Sequence, residues 1–416
     1  MRIGYACLTL GVRETNFKTC ILKNANEENL LRIIEHNLNS LENIIDYNIG
    51  NNIKLFRISS DIIPFGSSPA NTLDWWNIFE GTLSSIGEKI KKTGMRVSMH
   101  PGQYTVLNSP NEDVVYRAIK DLEYHTIFLD SLNVNKENKI ILHIGGVYGD
   151  KHLARDRFIR NYKLLDKSIK DRLVIENDDK CFNIEDVLYI SKQLNIPVIF
   201  DNLHNSVLPS SKLETDKYWI EQANNTWTEG NGPQKIHYSQ QDKNKRSGAH
   251  SFTIKLDEFM EFIENLDPAL DIMLEVKDKN LSAVKCINAR EKGGIKTLEN
   301  EWSRYKYNVL ESSPNNYNKI RELLKEKKAY PVLDFYRLIE NSLETELNMG
   351  NAINALQHVG GYFKDQADDK EKRRFEKLLM EFQQGEGKLV TVKNHLNKLA
   401  IKYNSEYLLD SLYFSI

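Results

Sequence analysis

The chain has 416 residues, 40% of them hydrophobic, with 56 basic and 58 acidic side chains and a formal net charge of −2. That length suits one large domain and a smaller one, and the charge balance neither announces nor excludes a nucleic-acid binder, whose basic surface can be local. Cys7, Cys20, Cys181 and Cys286 form no CxxC pair, "MRIGYACLTLG" turns polar too soon for a signal peptide, and no apolar run approaches the roughly 20 residues of a membrane helix, so a soluble cytoplasmic protein in a reducing compartment is expected.

Short apolar runs recur along the first two thirds of the chain. They are "RIGYACL" from Arg2, "IKLFRISS" from Ile53, "MRVSMH" from Met95, "KIILHIGG" from Lys139, "RLVIEN" from Arg172, "IPVIFDNLH" from Ile196, "PQKIHYS" from Pro233 and "DIMLEVKD" from Asp271. Most are continuous rather than alternating, which suits strands buried on both faces. Between them, segments such as "ENLLRIIEHNLNSLENIIDYN" place apolar residues at helical spacing. Strand then helix, repeated about eight times, predicts a (β/α)8 TIM barrel. An open doubly wound sheet is the alternative, but no GxGxxG opens the first unit. From about Trp302 only helical periodicity remains, as in "YPVLDFYRLIENSLETELNMGNAINALQHVGGYF". The expected domains are therefore a barrel over 1–301 and a small all-α domain over 302–416.

Barrel active sites gather at the C-terminal ends of the strands. The third to sixth runs end in His100, His143, Glu176 and Asp201, with His204 just beyond. The seventh carries Lys235 and His237, the loop after it carries His250, and the eighth ends in Glu275. Half of the ten histidines thus lie at strand ends or just after them. A single histidine there is an ordinary structural residue, but so many charges packed at one mouth would be costly unless paired or metallated. Imidazole and carboxylate are ligands of Zn- and Mn-class ions, and eight candidates exceed the needs of one ion. Two or three ions are expected, an arrangement suited to in-line phosphoryl chemistry. Glu176, central among the ligands, is expected to bridge two of them.

Lys235 precedes His237 by two residues, so both side chains point the same way along a strand. A cation beside a metal cluster can snorkel away, pair with a carboxylate or lose its charge; carbamylated by carbon dioxide, it would become an anionic ligand. In "RVSMHPGQY", Pro101-Gly102 turns the chain after His100 and aims Gln103 and Tyr104 past the rim. An aromatic and a hydrogen-bonding tip suit insertion into a base stack. Packing of Tyr104 on a neighbouring loop is the plainer alternative.

The set "HPGQY", "ILHIGG", "VIEND", "FDNLHN", "KIHYS", "GAHS" and "LEVKDK", in this order and spacing, resembles the UV damage endonuclease family over about residues 1 to 295. The resemblance implies a barrel related to endonuclease IV and xylose isomerase. It implies a metal-dependent hydrolase, Mn usually favoured over Zn or Mg, that nicks damaged double-stranded DNA immediately 5′ of cyclobutane dimers and 6-4 photoproducts. It implies a trinuclear site of His100, His143, Glu176, Asp201, His204, His237, His250 and Glu275, a carboxylated Lys235, and a catalytic role for Glu176 and Lys235. Gln103 and Tyr104 match the pair that probes the lesion, and Tyr5 matches a lesion-pocket tyrosine. The loop "ACLTLGV" lacks the asparagine the family pattern puts near there, so nothing is carried over to Thr9. The C-terminal part, through "NALQHVGGYFKDQ" and "GEGKLVTVKNHLNKLA", resembles a bacterial domain of unknown function, and His358 there reads as a packing or surface residue.

Two other readings stand beside the repair nuclease. One is a sugar isomerase or epimerase of the same superfamily, which needs no exposed Gln-Tyr tip. The other is a scaffold whose function lies in the helical domain, against which the intact ligand set argues.

Overall fold

The computed structural model describes residues 1–211 and 213–416. Eight strands, β1 (Arg2–Ala6), β2 (Leu55–Ile58), β3 (Arg96–Met99), β4 (Lys139–His143), β5 (Leu173–Glu176), β6 (Val198–Asp201), β7 (Lys235–Tyr238) and β8 (Asp271–Leu274), close in sequential order into one barrel. Every neighbouring pair is parallel, β1 with β8 included. The strands are buried on both faces because helices cover the outside and side chains fill the inside, which is why they read as continuous apolar runs. The chain is thus a (β/α)8 barrel followed by a helical region, as its periodicity predicts.

Helix boundaries follow local chemistry. Asn26 caps the helix Glu27–Gly50 by accepting from the Asn29 amide, and Glu27 and Glu28 face the positive end of its dipole. Asn183 and Asp186 form a reciprocal capping box on the helix Ile184–Leu194, directly after the loop that follows β5. Gly87 lets the helix Glu80–Thr93 approach its neighbour closely: a Cβ there would lie 1.8 Å from the Leu132 carbonyl oxygen.

The chain divides into two compact units. One comprises Met1–Thr9, Glu14–Ile254 and Phe262–Val284; the other comprises Leu10–Arg13, Lys255–Glu261 and Lys285–Ile416. The second has its own core, in which Ala352, Leu356 and Val359 meet Phe382, Leu396 and Tyr413. Position 302 lies inside a helix, Ile295–Ser312. His358 is exposed on the helix Met349–Gly360.

The barrel floor is polar. β1, β3, β4, β7 and β8 each begin with a charged residue: Arg2, Arg96, Lys139, Lys235 and Asp271. Arg96, 2% exposed, donates to Asp271 Oδ2 at 2.8 Å and to the carbonyls of Glu137, Asn231 and Pro233 at 2.6–2.9 Å. Arg2 donates to the other Asp271 oxygen at 2.8 Å. Breaking a buried pair leaves uncompensated charge and unmet carbonyls. Arg96→Leu is therefore expected to lower the unfolding free energy by about 3–5 kcal/mol, read by urea denaturation; a loss below about 1 kcal/mol would show that Arg2 and water replace it.

Candidate metal centre at the barrel mouth

The parallel register sets the site. It places His143 opposite Glu176 across β4 and β5, and Asp201 opposite His237 across β6 and β7. His100 follows the last residue of β3, and Glu275 the last residue of β8. Glu176 ends as a fully buried carboxylate among four imidazoles. Its oxygens lie 2.8 Å from His237 Nδ1, 3.2 Å from His100 Nε2, 3.5 Å from His204 Nδ1 and 3.8 Å from His143 Nε2.

Two groups of donor atoms fall within 4.8 Å of one another: His100, His143 and Glu176, and then Glu176, Asp201, His237 and Glu275. Glu176 belongs to both. His204 stands beside them through Glu176, and His250 lies with its Nε2 3.8 Å from Glu275 Oε2. All eight residues picked from strand ends and the following loop therefore converge.

The donors fit divalent cations. His143 Nδ1, Asp201 Oδ2 and His237 Nε2 are buried without a hydrogen-bond partner, which is costly for polar atoms left to themselves. Other ring nitrogens are already fixed. His204 Nδ1 lies 2.9 Å from the Asn177 carbonyl and His100 Nδ1 3.0 Å from the Pro101 carbonyl. A proton held on each Nδ1 leaves Nε2 as the ligating atom.

Charges follow from this crowding. Burial pushes the Glu176 carboxyl up, but His237 and His143, with hydrogen bonds from His100 and His204, outweigh it and hold Glu176 well below the usual range. Burial pushes Asp201 up to about 6 despite His204. Burial pushes His204 down, yet Asp201 and Glu176 overcome this and raise it to about 11. Burial takes His143 down to about 4. Glu275 is held low against its burial mainly by Arg57, whose Nη1 donates to Glu275 Oε1 at 2.6 Å.

Lys235 is fully buried, and its Nζ has no hydrogen-bond partner. The salt bridge that its spacing left open is not formed. Burial, then the nearby Arg96, with Arg57 and Arg2 adding to it against Asp271, pushes its ammonium well below the ordinary lysine value. Gln103 and Tyr104 are exposed, Tyr104 at 70%. The Tyr104 ring folds over Gly102, where a Cβ would come within 2.4 Å of the ring. Below the tip, Thr105 Oγ1 donates to Asp121 Oδ2 at 2.6 Å, and the Ser60 hydroxyl donates to the His100 carbonyl at 2.7 Å.

Tyr5 is not brought to this rim. It points out of the barrel, with no exposed surface, its hydroxyl donating to Asn48 Oδ1 at 2.8 Å and its ring against Phe56. Along β1 it is Ala6, packed with Leu55 and Met273, that faces inward, and strand alternation turns Tyr5 the other way.

Three partners are invisible to a reading of strand ends alone. Arg57 sits within β2, and the sequence sign is a lone cation in the apolar run "LFRI". Asn177 follows Glu176 and locks β5 to β6: its side chain donates to the Asp201 carbonyl at 3.1 Å and accepts from the Asp201 amide at 2.9 Å. Ser60 has no sequence sign, because its partner is a backbone carbonyl.

A parallel barrel whose mouth gathers histidines and carboxylates into two donor groups defines a (β/α)8 protein equipped to hold divalent cations. The model of the UV-endonuclease UvdE family matches residues 1–305, and that of a protein of unknown function (DUF1722) matches residues 306–416. The chain is 42% identical over 399 residues to the UV DNA damage endonuclease of Clostridium perfringens, covering 94% of this chain and 95% of that one. It is 32% identical over 301 residues to the UV DNA damage endonuclease of Bacillus cereus strain G9842, covering 69% and 94%. The solved structure of SacUVDE superposes with a TM-score of 0.66 at 40% identity, covering 70% of this chain and 97% of that one. The chain belongs to the UV-endonuclease UvdE family, and it is an endonuclease.

The protonation pattern has a measurable consequence. Metal-free His204 keeps its proton until pH rises towards about 11, so at neutral pH a bound cation displaces it. Acidification keeps that proton in place and also protonates Asp201 below about 6, so affinity falls as pH falls. Calorimetric titration of the metal-free protein with Mn at neutral pH should show proton release, seen as a dependence on buffer ionisation enthalpy. His204→Asn should reduce the release, and a buffer-independent enthalpy would contradict the assignment.

Proposed function

We propose that this chain is a metal-dependent repair endonuclease that nicks the backbone of damaged double-stranded DNA immediately 5′ of UV photoproducts, cyclobutane dimers and 6-4 photoproducts. Membership of the family supports the reaction class. The observation that carries the reading is Glu176 shared between two donor groups, the arrangement that closely spaced ions need.

His100, His143, Glu176, Asp201, His204, His237, His250 and Glu275 would hold the ions, three by this reading. The mixed imidazole and carboxylate set suits Mn, and also Zn or Mg. When bound, such ions supply an activated water for attack on phosphorus and neutralise charge on the leaving oxygen. Asn177 fixes the backbone of Asp201 and the ring of His204. Arg57 keeps Glu275 ionised. Lys235 we take to be carboxylated. A neutral amine is the form that attacks carbon dioxide, losing a proton as the carbamate forms, and the anion produced would sit near Arg57, Arg96 and Arg2.

Gln103 and Tyr104 are the residues proposed to enter the damaged stack, since both are exposed and their loop is tied down at Thr105. Such an exposed tip is what an epimerase has no use for. Tyr5, buried beside Asn48, is assigned a supporting role behind β1 instead of lesion contact. We place the nuclease activity in residues 1–301, with 302–416 as a separate helical domain, and the protein in the cytoplasm. Among the described residues no helix is long and apolar enough to cross a membrane.

With Mn, the protein should nick UV-irradiated supercoiled plasmid and leave the unirradiated control intact. Glu176→Gln should keep its fold by circular dichroism, bind less metal by elemental analysis and lose more nicking than the roughly 10–100-fold that removal of an outer partner of a metal ligand costs. Near-normal nicking by that folded variant would remove the shared-ligand model.

The tip makes a separate prediction. Flipping a lesion costs a few kcal/mol of stacking and pairing, and an aromatic ring stacked on a base offsets about 1–3 kcal/mol. Gln103→Ala with Tyr104→Ala should weaken binding to damaged duplex by roughly one to two orders of magnitude with metal content unchanged. The loss should be smaller when the opposite strand is mismatched, because less pairing has to be broken. Unchanged affinity in a gel shift would leave the pair as a plain loop tip.

A further inference from the structure

The helical unit carries a strip of rings and cations that the nuclease reading does not use. Trp302 and Lys306 lie four residues apart on the helix Ile295–Ser312, and Tyr317 and Arg321 four apart on the helix Pro314–Leu323. Each pair therefore shares one helix face. The Trp302 and Tyr317 rings meet at 5.3 Å between centroids, and the Arg321 guanidinium lies 5.8 Å from the Tyr317 ring. Lys306 Nζ lies 5.1 Å from the Tyr307 ring and 5.9 Å from that of Tyr407. Tyr407 in turn stacks on Tyr362 at 5.8 Å and 7° between planes. Buried Tyr307 supports them from below, its hydroxyl donating to that of Tyr362 at 2.9 Å.

Two features set the strip apart from ordinary packing. Tyr362 and Tyr407 keep 41% and 38% of their surface exposed. Lys306 and Arg321 also have no carboxylate partner among the described residues, whereas nearby Lys325 and Lys327 pair with Glu322 and Glu299. Burial, and then Arg321, pushes the Lys306 ammonium below its ordinary value. With Lys306 partly buried and Arg321 exposed, the patch is positively charged and has flat aromatic walls. Rings supply stacking that any base accepts, and interleaved cations meet phosphates. A duplex, whose bases are already stacked on each other, cannot use the rings.

We propose that this strip binds single-stranded nucleic acid, with bases on Tyr362, Tyr407 and Trp302 and phosphates at Lys306 and Arg321. The proposal does not rest on the nicking reaction. It is tested on the full chain without metal, by fluorescence anisotropy with labelled dT12 and rU12, the two arms separating DNA from RNA. Tyr362→Ala with Tyr407→Ala should weaken binding about tenfold or more. Lys306→Gln with Arg321→Gln should flatten the dependence of log affinity on log salt by about 1.4, at roughly 0.7 per phosphate contact on a single strand. Both variants should nick irradiated plasmid as the parent chain does, since none of the four residues lies in the barrel site. Iodouracil-containing strands should crosslink to peptides containing Trp302, Tyr317, Tyr362 or Tyr407. No binding by the parent chain, unchanged affinity and salt slope in both variants, or crosslinks confined to the barrel would each overturn the proposal. So would displacement of the strand by an acidic peptide from unaltered rings at lower concentration than by unlabelled dT12, which would assign the strip to a protein.

Discussion

A carboxylate with no access to water governs the barrel mouth. Glu176 is fully buried, and an isolated ionised carboxyl in that position would be prohibitively expensive. It is held ionised because four imidazoles from β4, β7 and the segments after β3 and β6 face it. The histidines depend on it in turn: the carboxylates of Asp201 and Glu176 are what keep His204 charged against its own burial. Removing Glu176 would take from His204 one of the two carboxylates that keep it charged. A site assembled from charges that need each other, and that still leaves buried polar atoms unmet, is poised for further positive charge at its centre.

The opposite end of the barrel solves a different problem with the same residue types. There, charged side chains at the strand starts close the floor, and one carboxylate, Asp271, serves both Arg2 and Arg96. Lys235 starts β7 on the floor side but joins none of the floor's ion pairs. It shares a strand face with His237, pairs in register with Asp271, and feels mainly arginines. An unpaired buried ammonium in that place is costly. The surroundings favour the neutral amine over the ammonium.

Much of this was legible in the sequence because barrels put chemistry at strand ends. His143, Glu176 and Asp201 are the last residues of their strands, and a continuous apolar run ending in a histidine or carboxylate marks such a position directly. What was not legible depends on side-chain direction and on backbone partners. Tyr5 stands in the right strand, but strand alternation turns it outward to Asn48, and its neighbour Ala6 faces the barrel interior instead. Arg57 was hidden by its place within an apolar run, and its partner Glu275 is more than two hundred residues away. Asn177 looks like an ordinary loop residue until its reciprocal bonds to the Asp201 backbone are seen. The sequence changes period near Trp302, but the helix Ile295–Ser312 runs through that point and the compact units divide at Val284 and Lys285, because helical periodicity has no mark for where one core ends and the next begins.

The tip beyond His100 combines an anchored base with an exposed end. Its base is fixed by bonds that do not involve the tip itself: Ser60 holds the His100 carbonyl, Asp121 holds Thr105, and the Thr105 amide bonds back to the Gly102 carbonyl. Its end is free, with Tyr104 resting over the one residue, Gly102, that has no side chain to exclude the ring. The same short segment carries His100 next to Glu176, so the exposed tip is tied to the donor cluster by only a few residues of chain.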